Sequence, residues 1–265
     1  FLVVSGESME ELRSKRGFVC DMDGVIYHGS RLLEGSKAFV DWLKAEGKRF
    51  LFLTNSSARS PRELHQKLLH MGIEVGEDHF ITSGMATAHF IASQCPGGRV
   101  FAIGDSGLYQ ALYEAGLSVD ENSPDYVVVG ETRSYSYEKI ETAIQLVLGG
   151  ARLVGTNPDV TGPTEKGIAP ACRALIAPIE MATGRQAYFI GKPNPLIMRH
   201  AQTLLQCHRD ETVIIGDRMD TDIVAGIESG IDTVLVLSGI TRESDLDRYA
   251  YRPHHILQDV SELTK

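Results

Sequence analysis

Positive charge is in short supply. Against 35 aspartates and glutamates there are 26 lysines and arginines, a formal charge of −9 over 265 residues. A surface that negative repels phosphate backbones and anionic lipid, which argues against nucleic-acid and membrane partners. A local basic pocket for one small anion is still compatible with it. Cysteine is scarce and scattered: Cys20, Cys95, Cys172 and Cys207 form no CxxC pair. That fits reduced, packing thiols rather than a disulfide framework or a zinc knot. No apolar run approaches the ~20 residues of a membrane span. The apolar start Phe1 to Val4 is followed at once by Glu7, Glu10 and Glu11, unlike a secretory leader. A soluble, cytoplasmic protein is expected. Several catalytic templates are missing as well. There is no GxxxxGK[ST] loop and no HExxH pair, and Gly104 to Leu108 lacks the last glycine of a nucleophile elbow. His28 and the pair His254-His255 read as surface or structural residues.

What is present is a regular alternation. Phe18-Val19-Cys20, Phe50 to Leu53, Val100 to Ile103, Tyr126 to Val129, Val213 to Ile215 and Val234 to Leu237 are apolar runs suited to buried strands. Strands apolar on both faces point to a parallel sheet covered by helices. Between them, Ser36 to Glu46 carries Phe39, Val40 and Leu43 at helical spacing. Pro61 to Met71 starts with proline and stops at Gly72, and Pro195 to Cys207 starts in the same way. The pattern predicts a doubly wound α/β fold. Two motifs occur twice: Leu51 to Asn55 is echoed by Leu153 to Asn157, and Ile215-Gly216-Asp217 by Ile103-Gly104-Asp105. The mid-chain copies suggest a separate α/β unit inserted at 84–185, between core segments 1–83 and 186–265.

The chemistry-bearing residues follow strands. Asp21 and Asp23 come directly after the first one, with Gly24 to permit a turn. In an open parallel sheet, ligands bind at the carboxyl ends of strands. A carboxylate there can ligate magnesium or attack phosphorus, and the same pair could equally cap a turn. Thr54, Asn55, Ser56 and Ser57 offer uncharged donors for phosphate oxygens and are also good turn material. After Ile215, Asp217, Asp220 and Asp222 fall within six residues and would repel one another without a cation among them. Lys192, in Gly191-Lys192-Pro193, could neutralise a phosphate. Asp105 reads as the N-cap of the helix that follows it.

In this order, these pieces resemble the haloacid dehalogenase-like hydrolases, and more closely their NagD-like (class IIA, p-nitrophenylphosphatase-like) branch. The resemblance rests on Asp21-Met22-Asp23-Gly24-Val25, Leu53 to Ser56, Val129 to Tyr135, Thr156 to Asp159, Pro170 to Cys172, Gly191-Lys192-Pro193 and Gly216 to Asp222. It implies a Rossmann-like core with an inserted α/β cap of the C2 type. It also implies a magnesium-dependent phosphatase acting on small phosphate monoesters, nucleoside monophosphates or sugar phosphates foremost. On this resemblance Asp21 is the nucleophile and Asp23 the general acid, then the base. Asp21, the Asp23 carbonyl and Asp217 hold magnesium, and Asp222 orients Lys192 and the metal site. Asp23, Thr54, Asn55, Lys192, Arg218 and Thr221 are counted with the phosphate-binding residues. The branch often carries Asn and Arg where this chain has Arg218 and Asp220, so a relative's substrate does not transfer. The other readings are a non-catalytic phosphate-binding protein and a dehalogenase, the latter at odds with Asp23. Monomer and homodimer stay open.

Overall fold

The computed structural model describes residues 6–265, with side chains from Ser8 onward. The apolar start Phe1 to Val4 lies outside the described residues. In chain order the elements are α1 (Gly6–Ser14), β1 (Gly17–Cys20), the short hairpin of β2 (Tyr27–His28) and β3 (Arg31–Leu32), α2 (Ser36–Ala45), β4 (Arg49–Thr54), α3 (Pro61–His70), β5 (Phe80–Thr82) and α4 (Ser83–Gln94). Next come β6 (Arg99–Ile103), α5 (Ser106–Glu114), β7 (Ser118–Val119), β8 (Tyr126–Val129), α6 (Tyr137–Leu148), β9 (Arg152–Gly155), the hairpin of β10 (Thr161–Thr164) and β11 (Gly167–Pro170), α7 (Cys172–Thr183) and β12 (Tyr188–Phe189). Then follow α8 (Pro195–Leu205), β13 (Thr212–Gly216), α9 (Val224–Ser229), β14 (Asp232–Val236) and β15 (His255–Leu257). No helix among the described residues is long and apolar enough to cross a membrane.

The chain divides into two compact units. One takes the residues up to Thr54, His65–Ile81 and Met198–Lys265; the other takes Asn55–Leu64 and Thr82–Ile197. The sequence placed the insert at 84–185. The second unit runs past 185 because β12 completes its sheet, with Tyr188 paired to Val154. It also takes in 55–64, where the Asn55 side chain is bonded to the backbone of Lys192 and the Ala58 carbonyl accepts the Gly107 N–H.

The first unit is built on a sheet of order β15-β14-β13-β1-β4-β5. Its central strands β1 and β13 are buried along their whole length, as strands covered on both faces must be. The pairing is parallel, with Cys20 opposite both Ile215 and Phe52. Asp21, Thr54 and Asp217 therefore leave three adjacent strands at the same edge. The order of strands reverses at β1, which makes that edge the crevice an open sheet offers to ligands. Helix α2 turns Phe39, Val40 and Leu43 inward, and Trp42 stacks on Phe39 and meets Phe18 edge-on. Such aromatic pairs each add about 0.5–1.5 kcal/mol beyond area burial. The helix ends before Gly47, whose φ of 62° is a left-handed conformation that β-carbon-bearing residues resist.

The second unit has its own parallel sheet, β12-β9-β8-β6-β7. Its core joins Phe101, Ile103, Val127 and Val129 of the sheet to Ala143 and Val147 of α6 and Ile176 and Ile179 of α7. The repeated motifs have a common structural meaning. Thr156-Asn157 follows β9 as Asn55 follows β4, and Gly104-Asp105 follows β6 as Asp217 follows β13. Within 55–64, Ser60 and Glu63 exchange backbone-to-side-chain bonds of 2.7 and 3.3 Å, a capping box at the start of α3.

Candidate active site

Three carboxylates meet at the β1/β13 edge of the first unit. Asp21, Asp217 and Asp222 each bring an oxygen within 4.8 Å of the others. Asp21 is half-buried, and its Oδ1 accepts the Met22 N–H at 2.9 Å. Asp217 and Asp222 are buried, at 2% and 0% exposure. The Oδ2 of Asp217 accepts the Ile240 N–H at 2.8 Å, and the Oδ2 of Asp222 accepts the Arg218 N–H at 3.1 Å.

Glycine makes this crowding possible. A β-carbon on Gly24 would lie 2.4 Å from the Asp217 carboxylate, one on Gly239 2.0 Å from it, and one on Gly216 2.2 Å from Asp222. The space around these acids is thus reserved for carboxylate oxygens by the absence of side chains. Three like charges at this separation are tolerable with a cation among them, and an all-oxygen donor set suits magnesium, calcium or manganese. The residues present fit a divalent metal. Asp222 was expected to stand behind the metal ligands; its oxygen lies with those of Asp21 and Asp217. A wide helical turn over Met219–Ile223 brings it round, pinned by the Tyr251 hydroxyl donating to the Met219 carbonyl at 3.0 Å.

Asp23 stands outside this cluster. The turn after β1 closes through Gly24 N–H donating to the Tyr27 carbonyl at 2.8 Å, with Gly24 at φ 80°. That places Asp23 against the β2–β3 hairpin, where the His28 Nδ1 lies 3.5 Å from its Oδ1. Burial pushes the Asp23 carboxyl above the usual carboxylate range, against the opposing pull of His28, Lys67 and the Gly29 N–H. A carboxyl that keeps its proton longer is the better acid near neutral pH. Lys67 sits over the Tyr27 ring, its Nζ 3.6 Å from the centroid. His28 was read as a surface or structural residue; half-exposed as it is, it touches the candidate proton carrier. Nothing in its sequence position signals this, because a two-residue strand sets the contact. His254 and His255 are structural: His254 bonds Thr233, and His255 is buried against Ser8.

In the loop after β13 the Arg218 guanidinium grips Asp220 with two bonds, of 3.0 and 2.8 Å. Thr221 is buried. Thr54 closes β4 beside β1.

The second unit holds the other expected residues. Lys192 is 2% exposed. Its backbone N–H donates to the Asn55 Oδ1 at 2.8 Å, and the Asn55 Nδ2 donates to its carbonyl at 2.9 Å and to Asp159 at 3.0 Å. Both hydrogens of the amide expected to hold phosphate are thereby bonded to protein, and its oxygen accepts one protein N–H. Asp105 occupies the N-cap position of α5 without capping it. Its Oδ1 instead accepts the Thr132 hydroxyl at 2.6 Å, a partner too distant in the chain to foresee. Glu131, which sequence reasoning did not single out, is a partly buried carboxyl of this unit. Burial pushes its carboxyl up, opposed by bonds from Ser56 and Asn157. It lines a cavity of about 470 Å³ within this unit, together with Asp105, Arg133, Tyr135 and Leu175.

Comparison with known proteins gives the family. Residues 18–118 match the model of the haloacid dehalogenase-like hydrolases, and residues 189–263 a second, HAD-hydrolase-like model. The chain is 45% identical to dihydroxyacetone phosphatase from Corynebacterium glutamicum over 246 residues, 93% of this chain and 90% of that one. The chain belongs to the haloacid dehalogenase-like hydrolases. Its branch is the NagD-like one. It is 39% identical to ribonucleotide monophosphatase NagD from Escherichia coli over 248 residues, covering 94% and 98% of the two chains. A solved structure, 4-nitrophenylphosphatase from Thermotoga maritima, superposes with a TM-score of 0.91 at 34% identity, covering 96% of this chain and 97% of that one. The NagD-like hydrolase fold thus accounts for both parallel sheets.

Proposed function

We propose that this hydrolase is a magnesium-dependent phosphatase of small phosphate monoesters that works through a phosphoryl-aspartate at Asp21. The observation that carries the reading is the separation of two kinds of carboxyl group at one sheet edge. Asp21, Asp217 and Asp222 each bring an oxygen within 4.8 Å of the others, an arrangement able to hold a cation, while Asp23 stands apart with its carboxyl pushed up by burial. The relatives named above are phosphatases, which supports the same reaction class.

In this reading Asp21 attacks phosphorus, the bond to the leaving oxygen breaks, and Asp23 gives that oxygen its proton. Asp23 then takes a proton from the water that cleaves the phosphoryl-aspartate. Splitting hydrolysis into two displacements matters because phosphate monoester hydrolysis is among the slowest uncatalysed reactions, accelerated by enzymes up to ~10²¹-fold. Bound to Asp21, Asp217 and the Asp23 carbonyl or Asp222, magnesium would supply positive charge against the phosphoryl oxygens. Thr54, Asn55, Lys192, Arg218 and Thr221 are assigned to the phosphoryl group, Asn55 through its hold on Lys192. Nucleoside monophosphates and sugar phosphates are the favoured substrates, and the segment 84–185 is assigned to their selection. A cytoplasmic location agrees with four free cysteines, and a charge of −9 disfavours nucleic-acid partners.

The direct test is p-nitrophenyl phosphate turnover with magnesium, with EDTA, and in Asp21→Asn. Turnover should vanish in the last two. Wild-type rates in Asp21→Asn would sink the proposal. A phosphorylated-metabolite panel ranked by kcat/KM would then decide the substrate.

A further inference from the structure

We infer that His28 is a positioning residue for Asp23: it fixes which carboxyl oxygen carries the proton delivered to the leaving alcohol. The inference rests on the phosphatase reading and adds a residue to its proton-transfer step.

The geometry starts from the turn. Asp23 forms an isolated bridge with Tyr27, and the N–H groups of Val25, Ile26 and Tyr27 all converge on the Met22 carbonyl. The Ser238 hydroxyl adds a bond to the Gly24 carbonyl at 2.8 Å. Tyr27 is buried at 5% exposure, its ring under the Lys67 ammonium. Successive strand residues face opposite ways. With Tyr27 anchored inward, His28 faces outward, on the side where the Asp23 carboxyl stands. Opposite it in the hairpin is Arg31, and Tyr27 is opposite Leu32.

Asp23 is a half-exposed carboxyl, its side chain 46% accessible. Left alone, such a group samples rotamers and presents either oxygen. Here the hairpin offers it two donors, the His28 ring at 3.5 Å from Oδ1 and the Gly29 N–H. With His28 directed at Oδ1, the proton to be delivered resides on Oδ2. A bond from a ring N–H is stronger to a carboxylate than to a neutral acid. It therefore tightens as the proton leaves Asp23, and an interaction that strengthens towards the transition state raises the rate. In the step concerned, an Asp21 oxygen forms the bond to phosphorus and the P–O bond to the alcohol breaks. The departing electron pair takes the Oδ2 proton, leaving Asp23 as a carboxylate.

The test uses leaving groups. An alkyl phosphate such as glycerol 2-phosphate needs a proton on its departing oxygen, whereas p-nitrophenolate departs without one. The ratio kcat/KM reports steps up to alcohol release, so it isolates the acid role from the later attack of water. His28→Ala should lower kcat/KM for the alkyl phosphate about tenfold, a part of the ~10²–10⁴ that a positioned acid contributes in full. For p-nitrophenyl phosphate it should change less than twofold. His28→Asn, whose Nδ2 can donate from nearly the place of the ring Nδ1, should recover most of the loss. In an Asp23→Asn background His28→Ala should cost nothing further. Equal losses on both substrates, no loss on either, failure of His28→Asn to rescue, or additivity with Asp23→Asn would each overturn the inference. If Asp23→Asn alone left alkyl phosphate turnover intact, the acid role itself would fall. The two failures are thus separable.

Discussion

Gly239→Ala tests how the cation site is built. Gly239 is not among the glycines with positive φ, so left-handed strain does not enter and the effect should be chiefly one of space. The new β-carbon would sit 2.0 Å from the Asp217 Oδ2, where ordinary contact begins at 3.4 Å. The carboxylate or the loop must therefore move by about 1.4 Å, the difference of those two distances. Magnesium demands ligands at about 2.0–2.1 Å in near-ideal octahedral geometry. A shift of that size would take Asp217 out of the proposed ligand set, and it also strains the bond from the Ile240 N–H. Disturbing the partners that hold a ligand typically costs 10–100-fold in metal affinity, about 1.4–2.8 kcal/mol. The magnesium dissociation constant should rise by at least tenfold, with melting in EDTA changed by no more than the strained bond, roughly 1–3 kcal/mol. Gly24→Ala should match the loss of affinity and add about 1–2 kcal/mol of instability, since its φ of 80° is left-handed. Magnesium titration followed by calorimetry measures the first quantity and urea unfolding in EDTA the second. Wild-type affinity in Gly239→Ala would mean that the loop yields instead, and that close backbone approach does not place Asp217.

Asp222→Asn should also raise the magnesium dissociation constant about tenfold while folding normally, because the amide oxygen can still accept the Arg218 N–H; calorimetric titration checks it. Asp220→Asn should leave stability within about 1 kcal/mol, as partly exposed pairs contribute little, yet lower KM by weakening the hold of Asp220 on the Arg218 guanidinium; steady-state kinetics with p-nitrophenyl phosphate reads this, and an unchanged KM would count against Arg218 in phosphate binding. His255 gives a pH signature. Burial lowers its pKa from 6.5, so the folded state refuses a proton that the unfolded chain accepts below that value. Its contribution to stability is full above pH 6.5 and declines as pH falls through 6.5 towards the lowered value. The urea midpoint should drop between pH 7 and pH 5, and by less in His255→Gln.

Much of the first unit was legible because strand pattern and chemistry coincide. Phe18-Val19-Cys20 and Val213 to Ile215 are apolar enough to demand burial, and their next residues are acids, so Asp21 and Asp217 announce themselves. Short-range reasoning ended where a partner comes from far along the chain. Asn55 reads as a phosphate donor, and nothing local foretells that its amide also bonds the backbone of Lys192, 137 residues away. Asp105 reads as a cap until Thr132 claims its carboxylate. Asp222 joins Asp21 and Asp217 by a wide helical turn whose shape no periodicity encodes. His28 reaches Asp23 through a hairpin two residues to the strand, below the length at which alternation is readable. The reach of the second unit to 197, and back to 55, is likewise set by tertiary bonds.

The glycine-lined nest of acids has a consequence for the life of the molecule outside catalysis. Three carboxyl groups crowded within 4.8 Å are a site at which a bound cation would favour the folded form, and an ion that binds the folded form alone stabilises it by mass action, about 2.7 kcal/mol at one hundred times its dissociation constant. Ion supply and fold lifetime are thereby linked. On the proposed reading, depletion of divalent cation would cost turnover and also the share of stability that ion binding adds.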